Sequence, residues 1–169
     1  MQLQKIITKM IDFYDGNISD INHCIKVHAF ASLIGKLEKL SDDEQFTLEL
    51  AAVCHDIACP LCRIKYGDTA GHHQEIESEA LLRDFLEEFS LPEKTEERVI
   101  FLVTHHHTYT NVEGRDYQIL LEADYIVNAG ESEKWAKQAD KFRTNVFKTS
   151  SGIRLLDSVF KNGNTTVNE

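Results

Sequence analysis

Two histidines and two aspartates stand in apolar surroundings in this sequence. His23 extends an apolar helical stripe, and the adjacent His55 and Asp56 follow a run of apolar residues. Asp124 has leucines one turn before it and a valine one turn after it. Unpaired buried carboxylates cost several kcal/mol, and a shared cation removes that cost. The four side chains therefore predict a site for a shared divalent ion, chosen from Mn, Fe, Co, Mg, Zn and Ni.

The elements that must position these side chains are predicted to be helices. Only two prolines and eight glycines interrupt 169 residues, and apolar residues recur at helical spacing. We expect an all-α single domain over residues 1–169, with a core at about 19–130 and C-terminal helices at 131–161. The irregular stretch 57–71 predicts a loop over the site. Core helices are predicted at about 2–13, from after Ser19 to 40, from the capping box at 41–44 to the pair at 55–56, at 74–89, from Pro92 to the histidines at 105–107, and at 117–129.

Composition excludes some partners. A formal net charge of −10 argues against binding a nucleic-acid polymer, which needs clustered basic residues. A small phosphorylated substrate remains compatible, because bound divalent cations reverse the field locally. The sequence has no apolar run long enough for a membrane span and no signal sequence, so we expect a cytoplasmic protein without a membrane partner. Four unevenly spaced cysteines do not form a disulfide framework.

Three short segments around the candidate ligands resemble a known family. They read His-Cys-Ile-Lys-Val from His23, Ala-Ala-Val-Cys-His-Asp-Ile around His55, and Leu-Leu-Glu-Ala-Asp ending at Asp124. The order His, His-Asp, Asp is similar to the signature of the HD-domain superfamily of metal-dependent phosphohydrolases, and the resemblance covers about residues 22–130. It implies an HD-type helical bundle in which one metal is held by His23, His55, Asp56 and Asp124.

Many members of that superfamily hold a second metal through further histidines, bridged to the first by the aspartate of the pair. By this resemblance His73 and either His105 or His106 would supply it. Neighbouring residues of a helix point about 100° apart, so three consecutive histidines cannot all enter one pocket. We predict His73, His105 and His106 as ligands of the second metal, with His107 outside.

The resemblance also implies a mechanism in which a metal lowers the pKa of a bound water and draws charge from the phosphoryl oxygens. Asp56 is predicted to be catalytic by orienting the water. Lys65, Arg63 or a histidine would neutralise phosphate or protonate the leaving oxygen, so Lys65 is a second catalytic candidate. Arg63, Lys65 and Tyr66 are the predicted substrate-binding residues.

One departure from the family concerns the acid. Some HD nucleotidases carry a glutamate shortly after the His-Asp pair, whereas residues 57–60 here are Ile, Ala, Cys and Pro. Glu75 and Glu77 are weak substitutes. The spacing of Cys59 and Cys62 suits half a zinc site or a redox pair, but no second pair follows, so simple packing in the loop is the favoured explanation.

The favoured function is hydrolysis of a phosphomonoester or phosphoanhydride in a small metabolite such as a nucleotide. Two alternatives stay open. Histidine richness suits an HD-type di-iron oxygenase, and the missing glutamate suits a metal- or nucleotide-binding module without turnover. Exposed faces of the terminal helices are compatible with a homodimer.

Overall fold

The computed structural model describes residues 2–160, and within that range the regular structure is helical, without a strand. The prediction of an all-α fold is confirmed. None of the helices in this range combines the length and the apolarity that a membrane span requires. The helices are α1 (Gln2–Phe13), α2 (Ile18–Leu37), α3 (Asp42–Cys54), α4 (Cys59–Lys65), α5 (Gly71–Leu86), α6 (Glu93–His105), α7 (Arg115–Glu131), α8 (Glu133–Ala136), α9 (Ala139–Asn145) and α10 (Ser150–Val159), with a short 3-10 turn at Glu87–Phe89.

Helix α3 lies at the centre of the bundle. It packs against α1, α2, α6 and α7, which explains why its sequence is apolar nearly all round. Leu48, Leu50 and Val53 are fully buried in the common core. The residues that follow the last turn of α3 therefore arrive in the interior, and these residues are His55 and Asp56.

The residue at which α2 begins determines the helical turn in which His23 lies. Asn17 precedes the helix, and its side-chain oxygen accepts a hydrogen bond from the Asp20 amide at 3.3 Å. The helix thus begins at Ile18, slightly before the predicted start after Ser19. His23 consequently sits in the second turn, where backbone carbonyls are already engaged within the helix.

The predicted loop at 57–71 is wrong in part, because it contains α4. Pro60 lies in the first turn of this helix, where a missing backbone N–H leaves no hydrogen bond unmade. Cys59 and Cys62 are both buried free thiols on α4. Their spacing therefore places two small apolar groups on the inner face of a helix.

The C-terminal helices fall at 133–159, inside the predicted range; its last position, 161, lies outside the described residues. A buried carboxylate ties them to the core. The side chain of Glu122 on α7 accepts hydrogen bonds from the backbone amides of Lys148 (2.7 Å) and Thr149 (2.9 Å), the Thr149 hydroxyl and the Gln118 amide. The charge of Glu122, which is fully buried, is thereby met by donors at the start of α10.

Candidate metal centre

The four side chains of the predicted first metal site converge in the structure. We call His23, His55, Asp56 and Asp124 the first cluster. His23 Nε2 lies 3.1 Å from His55 Nε2, 3.2 Å from Asp124 Oδ1 and 3.6 Å from Asp56 Oδ2. The Nε2 atom of His55 lies 3.5 Å from the same Asp124 oxygen. Three segments that are distant in sequence thus bring four potential ligand residues together around the Nε2 atoms of His23 and His55.

The hydrogen bonds of the two rings decide which nitrogen faces the cluster as an acceptor. His55 Nδ1 donates to the Ala52 carbonyl at 2.8 Å, and His23 Nδ1 donates to Glu131 Oε2 at 2.9 Å. Since a carbonyl and a carboxylate only accept, both Nδ1 atoms carry the proton. In the neutral rings the Nε2 lone pairs then face each other across 3.1 Å. A proton on His23 Nε2 or a metal ion removes this repulsion, so the donor set fits a divalent metal.

The electrostatics of the first cluster favour a positive charge at its centre. Burial opposes ionisation of Asp56 and Asp124, but the neighbouring histidines outweigh it and hold the pKa of both carboxyls well below the usual range. Burial likewise opposes the charged form of His23, but Asp124, Asp56 and Glu131 raise its pKa to about 10. Two fixed carboxylates in a buried site therefore attract a proton or a metal ion.

A second cluster shares Asp56 with the first. It consists of Asp56, His106 and His107, whose ligand atoms all lie within 4.8 Å of one another. His106 Nδ1 donates to the Val103 carbonyl at 2.7 Å, and its Nε2 lies 3.5 Å from Asp56 Oδ1. Among residues 2–160, the Nε2 atoms of His106 and His107 are buried and find no hydrogen-bond partner. Such orphaned nitrogens beside a carboxylate are a suitable set for a second cation.

The orientations of the three consecutive histidines at 105–107 differ from the prediction. His105, predicted as a ligand, turns away: its Nδ1 donates to the Phe101 carbonyl at 2.8 Å, and its ring stacks on Phe101. His107, predicted to lie outside, faces the cluster instead. The physical reason is that α6 ends at His105, so the regular 100° spacing does not apply to the two residues that follow.

His73 does not join either cluster. Its Nδ1 binds Asp68 Oδ1 at 2.8 Å, and its ring stacks on Tyr66 with the centroids 3.8 Å apart. The prediction of His73 as a ligand is corrected by these contacts. Gly71 on α5 does lie close to the second cluster, since an added Cβ there would come within 2.6 Å of the His107 ring. A glycine at position 71 is the sequence feature connected with His107. Its meaning becomes clear only when the packing of the two residues is known.

A cavity of about 240 Å³ opens onto the first cluster. Arg63, a predicted substrate-binding residue, lines this cavity, and Asp20 accepts two hydrogen bonds of 2.6 and 2.8 Å from its guanidinium. The cavity is lined by Ser19, Asp20, His23, Asp56, Cys59, Arg63, Thr69, Gln74, His107, Tyr109, Asp124, Asn128, Glu131 and Trp135. A larger groove of about 710 Å³ between α3 and α6 has no histidine in its wall.

Lys65 was predicted to be catalytic and substrate-binding, and Tyr66 to be substrate-binding. Neither side chain lines the cavity. The Lys65 ammonium and the Tyr66 hydroxyl both donate to Glu77 Oε1, each at 2.5 Å. These two predictions are corrected because an acidic neighbour on α5 pairs with both groups. Both glutamates named above as substitute acids therefore accept hydrogen bonds from other groups. Glu77 accepts them from Lys65 and Tyr66, and Glu75 from the His107 backbone amide and the Thr108 hydroxyl.

Comparison with known proteins identifies the class that this fold and site define. The profile of the HD domain family matches residues 20–144, a range that contains both clusters. No curated protein and no solved structure matches the chain. Because the profile covers more than half of the sequence, the chain belongs to the HD domain family. The resemblance seen in the sequence is confirmed, and with it membership of a superfamily of metal-dependent phosphohydrolases whose members bind divalent metals.

The two neighbouring histidines at the end of α6 give a matched pair for testing the second cluster. We expect His107→Ala to lose one bound metal per chain, because it removes a ligand atom that faces Asp56. His105→Ala should keep the wild-type stoichiometry, since that ring packs on Phe101. Elemental analysis of both purified variants measures the difference. Equal metal content in the two variants would refute the placement of His107.

Proposed function

We propose that this protein hydrolyses a phosphomonoester or phosphoanhydride of a small metabolite, such as a nucleotide, with two divalent ions. The observation that carries the proposal is the position of Asp56 between two groups of inward-facing histidine nitrogens. A carboxylate shared by two ligand sets is suited to bridging two cations. His23, His55, Asp56 and Asp124 would hold the first ion, and Asp56, His106 and His107 the second.

Formal charges at the site support two ions and one phosphoryl group. The Asp20 carboxylate is paired with Arg63 and that of Glu131 with Lys26, which leaves Asp56 and Asp124 as the unneutralised acids. Two divalent ions would outweigh these two negative charges by two, which is the charge of a phosphate dianion. When bound, the ions supply an activated water and neutralise charge on the phosphoryl oxygens.

The protein's own residues prepare the cavity for that substrate. Asp20 orients Arg63 by binding two of its N–H groups, and a guanidinium has five, so three remain available to phosphoryl oxygens. Burial keeps His107 neutral by lowering its pKa to about 3, with the charge of His106 acting in the same direction. A neutral imidazole is the form that binds a metal. The proposed setting is the reducing cytoplasm, in keeping with four buried free cysteines.

A substrate panel tests this function. Protein loaded with Mn(II) or Co(II) is incubated with nucleotides, sugar phosphates and other small phosphate esters, and inorganic phosphate release is measured. We expect release from at least one class, and a marked loss in Arg63→Ala with a smaller loss in Lys65→Ala. Metal uptake without release, together with oxygen consumption by the Fe(II)-loaded protein, would indicate an oxygenase. Metal uptake with neither activity would indicate a binding module.

A further inference from the structure

Three polar residues of α7 form a stripe along one face of the helix. Asp124, Asn128 and Glu131 are separated by four and three positions, the spacing that places side chains on the same side. All three line the cavity. Only Asp124 belongs to the first cluster. The roles of Asn128 and Glu131 follow from the residues to which they are hydrogen bonded.

Asn128 holds the carboxylate of Asp124. Its side-chain amide donates to Asp124 Oδ1 at 2.8 Å, and this same oxygen faces His23 Nε2 at 3.2 Å and His55 Nε2 at 3.5 Å. The hydrogen bond fixes the rotation of the carboxylate about its terminal bond. Asn128 therefore keeps one specific oxygen of Asp124 pointed at the centre of the first cluster.

Glu131 holds the ring of His23. Its Oε2 accepts the Nδ1 proton at 2.9 Å, and its Oε1 accepts a hydrogen bond from the Lys26 ammonium at 2.8 Å. The other anchored rings use backbone carbonyls near helix ends, namely Ala52 for His55 and Val103 for His106. His23 lies in the second turn of α2, where carbonyls are engaged in the helix. Its partner must come from another element, and Glu131 at the end of α7 provides it.

We propose that Asn128 and Glu131 are positioning residues that pre-organise the first cluster for its metal. Glu131 sets the tautomer and orientation of His23 and makes its ring more basic, while Asn128 orients Asp124. Lys26 balances the charge of Glu131, so the site gains an acceptor without gaining another unneutralised acid. This inference rests on the metal centre of the proposed function, but it does not depend on the reaction catalysed there.

The test measures metal affinity directly, by competition with a chromophoric chelator for Co(II) or Mn(II). Loss of an outer partner of a metal ligand typically weakens binding by about 10- to 100-fold, and we expect losses in that range for Glu131→Ala and Asn128→Ala. Glu131→Gln retains a side-chain oxygen that can accept the Nδ1 proton, so it should restore most of the affinity. Glu133→Ala is the matched control, because this nearby glutamate is almost fully exposed and pairs with Lys137.

Thermal unfolding without metal separates positioning from folding. Glu131 is about one-third exposed, so metal-free Glu131→Ala should unfold close to the wild-type temperature. Wild-type affinity in both alanine variants would overturn the inference while leaving the metal centre intact. An absence of metal uptake by the wild-type protein would overturn the metal centre and this inference together. Normal uptake without phosphate release would contradict only the proposed reaction.

Discussion

Replacing Asp56 with alanine is expected to lower kcat/KM for phosphate release by at least about 10³-fold, beyond the 10- to 100-fold typical of outer partners. Asp56 is the one residue common to both clusters, with Oδ1 3.5 Å from His106 and Oδ2 3.6 Å from His23. Its loss would remove one proposed ligand of each ion, together with the group proposed to orient the attacking water. Steady-state kinetics and elemental analysis on the same preparation measure both effects.

A second buried aspartate serves as the control for this change. Asp116 pairs with Arg98 at 2.6 Å and lies outside both clusters. Asp116→Ala should cost about 1–3 kcal/mol of stability, because the Arg98 guanidinium loses its partner, yet it should keep both metals. If Asp56→Ala retains wild-type metal content and turnover, the shared role of Asp56 is refuted.

Removing the metal is expected to abolish phosphate release and to lower the free energy of unfolding. With metal present at a thousand times its dissociation constant, the native state gains about 4 kcal/mol, and chelation takes this away. The structural reason is the approach of His23 Nε2 to His55 Nε2 beside two carboxylates. Denaturant unfolding with and without chelator measures the loss, and adding back Mn(II) or Co(II) should restore both stability and activity.

The variant Asp124→Ala provides the control for metal removal. It deletes the carboxylate that faces both rings of the first cluster, so most of the metal-dependent stabilisation should vanish in this variant. His28→Ala should retain that stabilisation, because His28 lies on the same helix as His23 but binds Glu49. An equal free energy of unfolding with and without metal in the wild-type protein would contradict the prediction.

The first cluster could be predicted from the sequence because its residues lie in or directly after helices with clear apolar faces. Periodicity fixes the inward direction of His23 on α2 and of Asp124 on α7, and the buried α3 carries His55 and Asp56 inward. The same periodicity places Asn128 and Glu131 on the face of α7 that carries Asp124, so their positions could also have been predicted from the sequence. They were missed because polar residues near a helix end are usually solvated.

The second cluster could not be predicted in the same way. The regular helix ends at His105, so no periodic rule says whether His106 or His107 faces inward. Lys65 and Tyr66 were misassigned for a related reason. Composition shows that a loop segment is basic and aromatic, but it does not show that Glu77, on another helix, binds both groups.

The hydrogen bonds of Glu122 connect the core to residues that follow the segment matched by the HD domain profile. The HD domain match stops at residue 144, but Lys148 and Thr149 donate to this buried carboxylate. A protein cut back to the matched segment would lose three of the four donors named above for Glu122, which lies two residues from Asp124 on the same helix. Lys148 and Thr149, the two residues before α10, therefore complete the hydrogen bonding of a buried side chain on the helix that carries Asp124.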